Sequence, residues 1–174
     1  YRYLEDMGNG NHMIIRHEVI RYASFDEQPQ VLSNWFSGLD AEVRGMVQPV
    51  LIPHPAPSMT QEIIWTGGIS NWIPANLASF PAAADVTTVD SSGTPQAFAL
   101  SLADVTRLSG EGLAFPNFLE RSANLSWWTR TGMGSIIAHP GISFLIRTPG
   151  TIFTHNFEVF PGHVGIRPAI IVHQ

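Results

Sequence analysis

Seven histidines are the side chains best suited to hold a metal: His12, His17, His54, His139, His155, His163 and His173. No two lie four residues apart, the spacing that puts two imidazoles on one helix face, so the pattern specifies no metal site. The acids are scattered, with Glu5-Asp6 and Asp26-Glu27 the only adjacent pairs, and no calcium loop results. The serines lack the G-x-S-x-G turn that raises a nucleophile, and Gly134-Ser135 and Gly141-Ile142-Ser143 read as turns. Cysteine is absent, which excludes disulfides, thiol nucleophiles and thiolate-bound metals. The basic residues are nine arginines and no lysine, so the lysine that a phosphate loop requires is missing. Paired carboxylates for glycoside cleavage stay open, although Asp104 fits better as a helix cap and Glu120 as an ion-pair partner of Arg121. The expectation is a non-enzymatic protein with no metal and no cofactor.

The elements that would position any such group belong to one domain of 174 residues. Hydrophobic residues make up 44% and charged residues 13%, the opposite of a disordered chain. With a net charge of -5 and no basic run, a nucleic-acid partner is excluded, and an anionic membrane surface is unattractive. No apolar run reaches the ~18 residues of a membrane span, so direct membrane insertion is not expected. The opening Tyr1-Arg2-Tyr3-Leu4 alternates like a strand, with no leader before it. It reads as the start of a domain excised from a longer surface or phage protein.

Fifteen glycines and thirteen prolines, spread throughout, call for many turns and short elements. Gly8-Asn9-Gly10-Asn11 signals a hairpin between the opening strand and His12 to Arg16. Leu32 to Val47 carries apolar residues at helical spacing, weakened or split by Gly38 and Gly45. Pro49, Pro53, Pro55 and Pro57 oppose regular structure. Residues 58–95 read as a loop-rich insertion held down by Trp65 and Trp72, with Ala82 to Ser92 as a surface loop. Gln96 to Leu100 is a short buried strand, and Ser101 with Asp104 opens a helix that Gly110 closes. Ser126 to Thr131, Ile142 to Arg147, Thr151 to Phe157 and Val164 to His173 read as strands. The predicted class is α+β.

Trp127-Trp128-Thr129-Arg130-Thr131 sets two indoles side by side on a strand, so they must face opposite sides of a sheet. Gly165-Ile166-Arg167-Pro168-Ala169-Ile170 begins a closing strand in which Arg167 can pin loops through its planar donor fork. Trp127, Trp128, Arg130 and Arg167 are therefore expected to be architectural. WWTRT followed by GIRPAI resembles a bacterial and phage domain family of unassigned function with a W-W-x-R-[ST] strand and a G-[VI]-R-P-[AS] closing strand. AFALSLADV and the opening hairpin are similar to that family as well, and only 58–95 lacks a counterpart.

The resemblance implies a C-type-lectin-like fold with paired terminal strands, two short helices and a small twisted antiparallel sheet. That fold is shared with formylglycine-generating enzymes and with variable proteins of diversity-generating retroelements. The first activity needs cysteines, which this chain lacks. The calcium motifs of sugar-binding lectins are missing too, and Phe115-Pro116-Asn117 is the nearest approach. The fold would display residues 134–163, with Ile136, His139, Leu145, Arg147, Phe153, His155, Phe157, Phe160 and His163 as the ligand-binding patch. Exposed aliphatic, aromatic and imidazole groups at such density mark a recognition face. The resulting expectation is an adhesin or receptor-binding domain, extracellular on a bacterial cell or phage particle, whose partner is a surface protein or glycan. Its competitors are a hydrolase or metal-dependent oxidase of the formylglycine-generating-like fold group and a structural spacer. The oligomeric state is not legible.

Overall fold

The structure, a computed structural model, describes residues 1–54, 58–59, 63–66, 72–133, 142–147, 150–156 and 164–174. Within its strands the side chains of residues 133, 142, 143 and 153–156 lie outside that description. The chain is α+β, as its alternation of short strands and helical repeats predicts. β1 (Arg2–Gly8) and β2 (Asn11–Ile15) form the hairpin announced by Gly8-Asn9-Gly10, all three of which adopt positive φ. β12 (Ala169–His173) adds to β2 in antiparallel register, with Ile171 opposite Met13, so strands near the two ends of the chain pair.

The second sheet has the order β10-β9-β8-β11-β3. Its members are β3 (Arg21–Tyr22), β8 (Ser126–Met133), β9 (Ile142–Arg147), β10 (Thr151–Asn156) and β11 (Val164–Ile166). The expected antiparallel sheet is in fact mixed, because β11 runs parallel to β8. Nor is 164–173 one strand. The chain breaks at Arg167-Pro168, and β11 and β12 enter different sheets. Proline cannot donate to a ladder, and here it marks the corner between sheets, its own carbonyl accepting from the Arg16 N–H at 2.8 Å.

Three α-helices are present among the described residues, one more than expected. The 32–47 repeat divides into α1 (Gln28–Ser37) and α2 (Ala41–Met46), separated at Gly38. α1 starts four residues earlier than the apolar spacing predicts, because Pro29 occupies its first turn, where the missing N–H is harmless. α3 (Leu102–Arg107) has the predicted capping box of Ser101 and Asp104. Two-residue strands complete the fold. β4 (Pro49–Val50) pairs with β7 (Thr94–Pro95), and β5 (Trp65–Thr66) with β6 (Ile73–Pro74). Ala82 to Ser92 is not simply a surface loop, since Ala82, Asp85 and Thr87 are buried. No described helix is long and apolar enough to cross a membrane.

Two cores form, and each draws on both sheets. Trp127, Phe144, Ile146 and Ile152 join Met13, Ile15 and Ile171 in one core, closed by α3. Trp128, Leu145, Val164 and Ile166 join Ile170, Val172 and α1 residues Val31 and Leu32 in a second. The two adjacent indoles thus serve different cores, as strand alternation requires. The same geometry corrects the place of Leu145. Expected on an open face, it is 2% exposed because the second core covers that side of β9.

Trp127→Ala and Trp128→Ala should each lower unfolding free energy by about 3–5 kcal/mol in urea titrations, since both indoles are fully enclosed. Gly165→Ala should also destabilise, because its Cβ would come 2.5 Å from the Arg21 carbonyl oxygen across the β11–β3 pair. An unchanged midpoint for G165A would show that 19–23 can retreat from β11.

Candidate ligand-binding recess

The WWTRT strand organises one recess of about 680 Å³. Each residue of the motif has a separate duty. The Trp127 indole N–H bonds the Arg121 carbonyl at 3.2 Å, within the first core. Trp128 donates to the Ala23 carbonyl at 3.0 Å and meets Phe25 edge-on at 5.9 Å, which places Phe25 on the recess wall. The Thr129 carbonyl accepts from the Gln28 amide at 3.1 Å and fastens the first turn of α1. Thr131 accepts the Leu102 N–H at 2.8 Å and holds the start of α3.

Arg130 lies at the base of the recess, and its guanidinium is enclosed in acceptors. Nε and Nη2 reach Asp85 at 3.0 and 2.6 Å. Nη1 reaches the Ala99 carbonyl at 2.8 Å, Thr87 Oγ1 at 2.9 Å and Asp104 at 3.2 Å. Asp104 also takes the Thr87 N–H at 2.9 Å, the Thr87 hydroxyl at 2.7 Å and the Ser101 N–H at 3.0 Å. Asp104 is saturated, Asp85 turns both oxygens to Arg130, and neither carboxylate lines the recess.

One wall is the face of α1 bearing Pro29, Leu32 and Phe36, preceded by Phe25 and Asp26. Opposite stand Ile52, Pro53 and His54 together with the 94–99 segment. That segment is extended and anchored where Phe98 and Ala169 exchange backbone bonds of 3.0 and 2.8 Å. Gly132, near the end of β8, completes the lining where the chain leads toward 134–163.

Of the residues expected to bind ligand, Leu145 is buried and Arg147 is exposed on β9, and neither lines the recess. Phe153 pairs in register with Leu145, and His155 with Ser143, while their side chains fall outside the description. Ile136, His139, Phe157, Phe160 and His163 lie outside the described residues. The recess itself was missed. Its α1 wall carries the repeat that signals core packing, and periodicity alone does not reveal which stretch of an apolar helix face lacks a neighbour. Among the described residues no group of three His, Asp or Glu is placed to hold a metal ion.

Two other buried arginines lack a carboxylate among the described residues. Arg121 was expected to pair with Glu120, but Glu120 pairs with Arg2 at 2.8 Å. The Arg121 guanidinium stacks on Trp72 at 4.3 Å and bonds the Trp72 carbonyl at 2.6 Å, leaving Nε and Nη2 without partners among the described residues. Arg167 bonds the Arg16 and Arg121 carbonyls at 2.8 and 3.1 Å, as its expected role of pinning loops requires. Burial pushes both guanidinium groups down to about 10, with the nearby Arg2 charge adding to the effect on Arg167. Phe115-Pro116-Asn117 has a structural use, since Asn117 Oδ1 caps the turn Phe118–Arg121.

Neither a family model, nor a curated protein, nor a solved structure matches the chain.

Arg130→Met should destabilise by about 3–5 kcal/mol, because it strands the buried Asp85 carboxylate and takes from buried Asp104 one of its two cations. Arg121→Met strands none and should leave the urea midpoint at pH 7 unchanged or raised. The sign follows from linkage. A native pKa below the unfolded one makes the cost of the charge fully present below about pH 10, and it is relieved as pH rises toward the unfolded value. A loss above about 1 kcal/mol for R121M would show that the Trp72 contacts outweigh burial of the charge.

Proposed function

We propose that the chain is a non-enzymatic ligand-recognition domain of C-type-lectin-like architecture. In this reading it is displayed outside a bacterial cell or on a phage particle, and it seats an apolar group of its partner in the α1 recess. The supporting observation is the recess itself. A volume of about 680 Å³ falls in the range of small-molecule sites, and its walls are mainly Phe, Pro, Leu and Ile over a base held rigid by Arg130. A rigid base favours affinity, because little ordering remains to be done when a ligand arrives. The pairing of β2 with β12 and the corner at Arg167 support the lectin-like architecture.

Gly132, near the end of β8, lines the recess, and the sequence continues from there into 134–163. His139, Phe157, Phe160 and His163 are proposed to extend the contact to a surface protein or glycan, with Arg147, Phe153 and His155 on the adjoining strands. Leu145 takes no part.

The test is a ligand-observed NMR screen of apolar fragments and of mono- and oligosaccharides against the native protein and Ser33→Trp. Ser33 is an exposed α1 residue on the recess wall, and an indole there would fill the space while leaving the core intact. Binders lost in S33W at an unchanged melting temperature are the expected result. Binders that S33W leaves untouched would move the site elsewhere, and no binder at all would refute the reading.

A further inference from the structure

The polar groups of the recess differ in what they leave available to a ligand. The strongest donor, Arg130, is fully engaged by Asp85, Asp104, Thr87 and the Ala99 carbonyl. Gln28 directs its amide nitrogen to the Thr129 carbonyl at 3.1 Å, and Gln96 directs its own to the Val50 carbonyl at 3.1 Å. A carbonyl can only accept, so each amide is oriented with its nitrogen inward, and each Oε1 is left as an acceptor. At the start of α1 stands the exposed carboxylate of Asp26. The described ion pairs are Arg2–Glu120, Arg107–Glu5, Arg107–Asp104, Arg130–Asp85 and Arg130–Asp104, and none of them includes Asp26.

Charge points the same way. The single cation of Arg130 meets two carboxylates, so the base of the recess carries no surplus positive charge, and Asp26 adds a negative one. The two Gln oxygens and the Asp26 carboxylate therefore favour a donor-bearing, positively charged group. The half-buried phenyl ring of Phe36 on the α1 wall suits an apolar body with a cationic nitrogen. We infer that the ligand of this recess is a small aryl- or alkylammonium compound, its hydrocarbon between α1 and the 94–99 segment and its ammonium toward Asp26. This rests on the recess being the binding site and adds the chemical class of what binds there.

Three probes of one shape test it: 3-phenylpropylammonium, 3-phenylpropanol and 3-phenylpropionate, titrated by NMR into the native protein, Asp26→Asn and Ser33→Trp. The ammonium should bind about 3- to 10-fold tighter than the alcohol, the range separating a charge-assisted contact at a partly exposed site from a neutral one. The carboxylate should bind weakest. D26N should bring the ammonium to the affinity of the alcohol while leaving the alcohol unchanged, and S33W should abolish all three. His54→Gln removes the imidazole of the opposite wall and should preserve the order. Equal binding of the three probes with no effect of D26N would overturn the cationic class and leave the recess intact as a site. Binding insensitive to S33W, or no binding by any probe, would overturn the recess reading and the inference with it.

Discussion

Every donor of the Arg130 guanidinium is used inside the protein, and the rest of the architecture depends on that closure. Its partners come from the loop at Asp85 and Thr87, the extended residue Ala99, the α3 cap residue Asp104 and, by continuity, β8. Asp104 simultaneously completes the capping box and takes Arg107, which reaches on to Glu5 in β1 at 2.5 Å. Three carboxylates and two guanidinium groups thus form one chain of contacts across the first core. The Arg130 end of this network is fully satisfied, whereas at the other end Glu5 Oε1 and Arg107 Nε are buried with no partner among the described residues, so the desolvation cost is offset mainly where Arg130 meets Asp85 and Asp104. The arrangement fixes where α3 starts, how 94–100 lies against β8, and where the floor of the recess sits.

Arg121 and Arg167 solve the burial of positive charge differently. Neither pairs with a carboxylate among the described residues, and both are stabilised by carbonyl dipoles and indole faces, Trp72 for one and Trp127 for the other. The backbone carbonyl of Arg121 accepts from both Arg167 and the Trp127 indole. The first residue of the WW pair and the arginine of GIRP therefore converge on one oxygen of a short 3-10 turn. That convergence ties the corner between the two sheets to the start of β8. It explains why a charge whose protonated form is disfavoured by burial is kept there: the planar donor fork holds loops that a hydrocarbon could only pack against.

What was legible in the sequence was local. Gly8-Asn9-Gly10 requires left-handed backbone and so announces its hairpin. Ser101 and Asp104 cap a helix from three residues apart, and Trp127-Trp128 must point to opposite faces. What was not legible depended on distant partners. Glu120 sits beside Arg121 in sequence, yet Arg2 reaches it across 118 residues. Arg167-Pro168 looks like the opening of one strand, and only the presence of two sheets makes it a corner. Leu145 reads as displayed only if β9 has an open face, and the second core removes that face. The α1 apolar stripe was seen correctly, but packing covers part of it and leaves the rest to the recess.

The recess follows from how its walls are anchored. Both are fastened at their lower ends to the same strand. α1 is held through Gln28 and through Phe25 against Trp128, and the 94–100 segment through Ala99 and Leu100 to Arg130. Above those points the wall residues Phe36 and Ile52 are only half-buried and Pro29 is exposed, so apolar surface remains without a complete covering of protein. Filling it from within would require larger side chains at Ala97 and Ala99, whose own side chains are already enclosed in the second core. Small residues on the buried side of that segment and large ones on α1 keep the floor rigid and the mouth open. In the proposed reading, affinity for an apolar body would come from these walls, while Asp26 and the Gln28 and Gln96 oxygens would decide which bodies are accepted.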